Sequence, residues 1–315
     1  MKIAFHDNAL SLRGTTVAIY DWAYWTRHYL SVDPIIMYNS KNQFNDAGVI
    51  EKFSKEFPVF SYDDKFEIDT ILSKNNCDAF LMEKGGKPDG IISTVAKNLV
   101  NAISICSVSD IHGDVYAMGS KWLSKITNYK IPYVPYMVDL PNVNEDMREE
   151  LGIPKDALVI GRNGGSDTFD IPFVKQAIQV VLNERKDIWF VFQLTDKFID
   201  HERVIFLPGS SDMNTKVRFI NTSDAMLHAR YVGESFGLSC AEFSIRNKPV
   251  ITYEKSPERN HIDTLDEKGI YYENYSEILH ILRNLDKKEI NSLEWNCYQE
   301  YAPEKVVQRF KEIYL

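Results

Sequence analysis

At 315 residues, with 44% hydrophobic and 26% charged residues, the chain has an ordinary globular balance and room for two domains. A formal net charge of −9, with no long basic run, argues against nucleic acid as the main partner. No apolar run approaches the roughly 18–20 residues that a membrane-spanning helix requires.

The opening, from Met1 to Asp7, reads as a strand and not as a signal peptide. Apolar runs at 2–6, 34–38, 78–82, 102–108 and 114–118 predict buried strands. Helical spacing falls near 15–30, 45–56, 66–74 and 90–99. The aromatic cluster Tyr20, Trp22, Tyr24 and Trp25 reads as helix packing. This alternation predicts a parallel sheet flanked by helices, an α/β class.

The segment Val138-Asp139-Leu140-Pro141-Asn142-Val143-Asn144 breaks the pattern and is the best linker candidate. The alternation then restarts with a strand at 157–161. Val174, Ala177, Ile178, Val181 and Leu182 follow at i, i+3, i+4, i+7 and i+8, one face of a helix. Further strands are expected at 188–192, 204–207, 225–227 and 249–252, and late helices around 278–285 and 306–313. The expected domains are 1–140 and 141–290, followed by a helical segment, 291–315, that packs back toward the first domain. Two doubly wound domains of this kind face each other across a cleft, with ligands beyond the carboxyl ends of the strands. Cys77, Cys106, Cys240 and Cys297 are scattered without C-x-x-C spacing. They read as buried thiols in a reducing compartment, which makes the cytoplasm the expected location.

The most informative stretch is Gly233-Glu234-Ser235-Phe236-Gly237-Leu238-Ser239-Cys240-Ala241-Glu242. Its two carboxylates bracket a glycine-containing turn that reads as a helix start. Unpaired N–H groups and a partial positive charge at such a tip suit a phosphate. The eight-residue spacing of the acids covers about 12 Å at helical rise, roughly the distance from a sugar across a diphosphate to a ribose.

In this order and spacing the motifs resemble a GT-B fold glycosyltransferase, similar to the large retaining family 4. The likeness runs through most of 145–285. Glu145 to Pro154 resembles the helix opening that family's second domain, and Val159-Ile160-Gly161-Arg162 its strand ending in Gly-Arg. Glu234 to Glu242 resembles its E-x7-E motif, followed by Lys248-Pro249-Val250-Ile251. The first domain matches less well. There, Gly14 resembles a glycine loop opening the first helix, and 112–120 the region of a strand-end histidine. The family's lysine five residues after the arginine is replaced by Asp167, which leaves one diphosphate cation open. Lys216 or Arg218 is the expected substitute.

The resemblance implies a GT-B enzyme with two Rossmann-like α/β domains. It would transfer a sugar from a UDP- or GDP-linked donor to a carbohydrate or glycoconjugate hydroxyl, with retention. Glu234, His112 and Arg162 are the expected catalytic residues. Ser235, Phe236, Gly237, Leu238, Glu242, Gly14 and Lys216 are the expected donor-binding residues. Gly85-Gly86 and Gly14-Thr15-Thr16 would line the acceptor side. No cofactor and no metal are expected, because amides and cations would hold the diphosphate. Two rival readings are a non-catalytic nucleotide-sugar-binding protein and a nucleotide-sugar epimerase on a similar fold.

Overall fold

A computed structural model describes all residues, 1–315, and divides them into two compact units, 1–139 with 300–315 and 140–299. In the first unit six strands form one parallel sheet: β1 (Lys2–His6), β2 (Asp33–Asn39), β3 (Val59–Tyr62), β4 (Ala79–Lys84), β5 (Lys97–Ala102) and β6 (Val115–Met118). Their order is β3-β2-β1-β4-β5-β6. Helices α1 (Gly14–Leu30), α2 (Ala47–Glu56), α3 (Ile68–Lys74) and α4 (Lys121–Ile126) link them. Every residue of β4 is buried, as a central strand covered on both faces requires.

The second unit repeats this plan with β7 (Leu158–Asn163), α5 (Pro172–Glu184), β8 (Ile188–Gln193), β9 (Val204–Leu207), α6 (Met213–Thr222) and β10 (Ala225–His228). It continues with β11 (Gly233–Glu234), α7 (Leu238–Ile245), β12 (Val250–Tyr253), β13 (Glu258–Arg259), α8 (Asn260–Leu265), β14 (Ile270–Tyr272), α9 (Tyr275–Asn284) and α10 (Lys287–Asn291). The sheet order β14-β12-β10-β7-β8-β9 is again that of a doubly wound α/β sheet. The five apolar residues of α5 named above are all buried. Each of the four larger ones, Val174, Ile178, Val181 and Leu182, contributes about 1.5–3 kcal/mol on burial. They share a core with Ile278 and Leu282 of α9.

The final helix, α11 (Pro303–Tyr314), belongs to the first unit. Phe310 lies 6.3 Å from Phe5 and 6.4 Å from Trp22, ring centre to centre. Trp22 is fully buried, while Tyr20 meets Phe53 and Phe57 edge-on, so this part of the α1 aromatic cluster is packing.

Three local expectations differ from the structure. Residues 90–99 are not a helix and 102–108 are not a strand; the strand is β5. Its polar residues conceal it: Asn98 donates to Ser93 O, and Asn101 donates to Val134 O and the Tyr314 hydroxyl. The apolar run that follows is a loop, with Ile105 exposed. Residues 145–154 form a single hydrogen-bonded turn instead of a helix. Leu151 N donates to Met147 O, and Gly152 (φ +67°) and Pro154 then end it.

Candidate functional site

The loop from β10 to α7 is shaped by two glycines. Gly233 has φ +83°, and a Cβ there would lie 2.1 Å from the Glu258 carbonyl oxygen. That close approach allows Gly233 and Glu234 to pair in parallel with Glu258 and Arg259. Gly237 (φ +91°) is the N-cap of α7 and supplies no side-chain cap. The buried Asn260 amide donates to Phe236 O and fixes the turn from the other side. Ser235 and Leu238 are half-buried at this tip and Phe236 is buried. The first-turn N–H groups of α7 have no intrahelical partner, so this tip suits an anion.

Glu234 precedes the tip and is tightly held. Its Oε2 accepts from Arg230 Nη1 at 2.9 Å, and its Oε1 faces His228 Nε2 at 3.1 Å. The Thr252 hydroxyl lies 2.9 Å from His228 Nδ1 and 3.1 Å from His261 Nε2. With both rings neutral, one arrangement of protons satisfies the chain. His261 Nε2–H donates to Thr252, Thr252 donates to His228 Nδ1, and His228 Nε2–H donates to Glu234. His261 Nδ1 is then a bare acceptor, and it is buried without a partner. Burial pushes the His261 pKa far below the usual histidine range. Burial works to raise the Glu234 carboxyl, but the hydrogen bond from His228 and the Arg230 guanidinium outweigh it and hold the pKa down to about 2.

Glu242 is the fifth residue of α7, little more than one turn in, and not the two turns its spacing predicts. The difference arises because Glu234 is strand and Gly237 is the cap, so the helix starts late. Glu242 is 3% exposed, and its Oε1 accepts from Lys216 Nζ of α6 at 2.7 Å. Arg218, the other expected stand-in cation, is turned to Glu150 and the Asp146 carbonyl. Arg162 at the end of β7 is buried. Its Nη1 donates to Leu194 O and Thr195 Oγ1, and its Nη2 to Gly165 O and Thr168 Oγ1. Burial lowers its pKa to about 10. The structure thus brings Glu234, Glu242, Lys216 and Arg162 into one unit with the helix tip.

His112 and Gly14 lie in the other unit. His112 does not end a strand; it follows a 3-10 turn (Val108–Asp110) and precedes β6. Its Nδ1 bonds to Asp110 O at 2.8 Å, and its Nε2 is buried without a partner. The flanking acids are engaged: Asp110 accepts from Ser107 N and Asp114 from Asn98 N. Gly14 is the first residue of α1. Gly86 is a packing glycine, since a Cβ there would meet Cys106 Sγ at 2.2 Å.

Sequence reasoning missed His228, Arg230, Thr252 and His261. The available signal was the strand end Leu227-His228-Ala229-Arg230, a histidine and an arginine one residue apart just ahead of the two-glutamate motif. It also missed a polar row at the carboxyl end of the first sheet. His6 is level with Met82 and Glu83 with Asn101, so Asp7 follows on beside Glu83. Tyr136 donates its hydroxyl to Glu83 Oε1, while Glu83 Oε2 is buried without a partner. Burial and the nearby Asp7 raise the Glu83 carboxyl well above its usual range, and burial raises Asp7 to about 6. A folded pKa above the unfolded one contributes stability at low pH that is lost as pH rises. Glu83→Gln is therefore expected to be at least as stable as the parent at pH 8, with its relative advantage growing between pH 5 and pH 8. Urea unfolding at the two pH values checks this. A variant that loses more stability at pH 8 than at pH 5 would show that Glu83 is ionised.

No protein-family model matches the chain, and no curated protein matches its sequence. Solved structures match its fold along nearly its whole length. A glycosyltransferase from Rickettsia africae ESF-5 is 14% identical, with a TM-score of 0.70, over 99% of this chain and 97% of that one. Anabaena Alr3699/HepE, solved in complex with UDP-glucose, is 13% identical, with a TM-score of 0.75, over 99% and 98% of the two chains. This is the GT-B fold. A putative UDP-N-acetylglucosamine 2-epimerase from Listeria monocytogenes matches too, at 12% identity, a TM-score of 0.62, and 99% and 94% coverage. A GT-B sheet pair thus carries more than one chemistry among these neighbours, and the side chains must separate them. No helix of this GT-B chain is long and apolar enough to cross a membrane.

Proposed function

We propose that the chain is a glycosyltransferase that moves a sugar from a nucleotide-diphosphate sugar, UDP- or GDP-linked, to a carbohydrate or glycoconjugate hydroxyl with retention. One observation carries the reading: an uncapped, glycine-started helix tip lies between an ionised Glu234 and a buried Glu242. The diphosphate sits on the tip amides, Glu242 takes the ribose hydroxyls, and Glu234 lies beside the transferred sugar. HepE, of the same fold, was solved with UDP-glucose, and that supports a UDP-sugar as the first donor to try. In this reading, amides and guanidiniums hold the diphosphate in place of a metal ion. The leaving phosphate takes the acceptor proton in a front-face displacement, while fixed positive dipoles stabilise its charge. Four free cysteines fit a reducing compartment such as the cytoplasm.

The epimerase reading retains one observation, the raised carboxyls Asp7 and Glu83, a pair suited to proton transfer. A single assay separates the two. The purified protein is incubated with UDP-glucose, UDP-N-acetylglucosamine and GDP-mannose, with and without a panel of sugar acceptors. A transferase releases free nucleoside diphosphate only when acceptor is present. Epimerised UDP-N-acetylglucosamine without acceptor would overturn the proposal, and nucleotide binding without turnover would reduce it to a binding protein.

A further inference from the structure

Asp167 stands where the resemblance expects a cation, and a diphosphate on the α7 tip still needs one. The cations of this unit near that tip can be taken in turn. Both Nη groups of Arg162 are engaged with four protein oxygens. Lys216 is bonded to Glu242, and Arg218 to Glu150. Arg259 pairs with Glu234 through its backbone, but its Nη1 donates to Glu254 O.

Arg230 differs from all of these. It lies two residues beyond β10, at the carboxyl end of the sheet where ligands of such folds bind. Its backbone is fixed on every side. Gly233 N and the Ser256 hydroxyl donate to its carbonyl, the Asp170 N donates to Ala229 O, and Tyr231 N donates to Asp170 Oδ1. Its side chain, 32% exposed, makes one ion pair, to Glu234 at 2.9 Å. A guanidinium carries five N–H donors, and this ion pair is the one bond to protein that they make. The buried His261 Nδ1, without a partner, lies in the same network, and the His261 Cβ is 3.2 Å from where a Gly237 Cβ would stand.

We infer that Arg230, steered by Glu234, is the cation that grips the donor diphosphate, taking the place of the lysine that Asp167 displaces. The inference rests on the nucleotide-sugar reading above. In it, Glu234 orients a phosphate-binding guanidinium as well as facing the sugar. Bidentate contact with phosphate is a geometry that arginine provides and lysine does not.

The test is calorimetric binding of UDP, GDP, uridine and guanosine to the parent, Arg230→Gln, Arg230→Lys and Arg218→Gln proteins. Arg230→Gln is expected to weaken the diphosphate by about ten- to a hundredfold and leave the matching nucleoside unchanged. Arg230→Lys recovers part of the loss, and Arg218→Gln changes neither. Circular dichroism and a thermal melt of each variant separate lost binding from lost folding, and the lysine variant retains the charge if the glutamine variant does not fold. Diphosphate affinity within threefold of the parent in Arg230→Gln overturns the role of Arg230 and leaves the donor reading intact. A parent protein that binds none of the four probes overturns the donor reading, and this inference with it.

Discussion

Glu242→Leu is expected to cost about 3–5 kcal/mol of folding free energy, a large part of a typical domain's stability. The reason is the ion that remains. Glu242 and Lys216 have side chains only 4% and 12% exposed and lie 2.7 Å apart. Removing the carboxylate strands a buried ammonium, whose desolvation nothing then offsets. Adding Lys216→Met removes the stranded charge, so the double variant should regain most of the loss. Urea unfolding of all four proteins measures this. A cost below about 1 kcal/mol, or a double variant no more stable than Glu242→Leu, would mean that the pair is solvated and behaves like a surface bridge.

The same pair bears on donor binding. If Glu242 takes ribose hydroxyls, Lys216 must share it or release it. Lys216→Met would then free the carboxylate for the ribose while leaving it buried without a counter-ion. Binding and stability are thus coupled through one contact, and nucleotide is expected to raise the unfolding midpoint of the parent more than that of Glu242→Leu.

Most of the sheet architecture was legible because parallel strands buried on both faces are continuous apolar runs, and because α5 repeats its apolar residues at helical period. β5 was not legible. Its Asn98 and Asn101 are buried but fully polar, and only their long-range partners make them tolerable there. The two-glutamate turn was legible because glycine spacing is local. What surrounds it was not, because each contact joins distant elements. Lys216 reaches Glu242 from α6, and His261 reaches Thr252 from α8. No periodicity marks such pairs. The expectation that Arg162 faces a diphosphate came from its place at a strand end. Its burial and its four oxygen partners show it tying the β7–α5 loop to the β8–β9 loop, and that demand could be read only from coordinates.

The second large effect is predicted at Gly233. Two independent constraints meet there. The backbone has φ +83°, which an L side chain adopts at a cost of about 1–2 kcal/mol. A Cβ would also overlap the Glu258 carbonyl oxygen at 2.1 Å and Ser256 Cβ at 2.6 Å, and the backbone atom cannot swing away. Gly233→Ala must therefore open the β11–β13 pairing, and a cost of about 3 kcal/mol or more is expected. Gly152 separates the two constraints. It has φ +67° with nothing within 4 Å of its Cβ position, so Gly152→Ala should show the backbone strain alone, about 1–2 kcal/mol. The functional consequence is larger than the energetic one. Glu234 is the next residue, and its bonds to His228 and Arg230 depend on the pairing that Gly233 permits. In the transferase reading, Gly233→Ala therefore loses turnover at temperatures where the protein is still folded, whereas Gly152→Ala keeps it. Equal loss of stability and retained turnover in both variants would show that the glycine is needed only for its backbone angle and that Glu234 does not depend on the strand pairing.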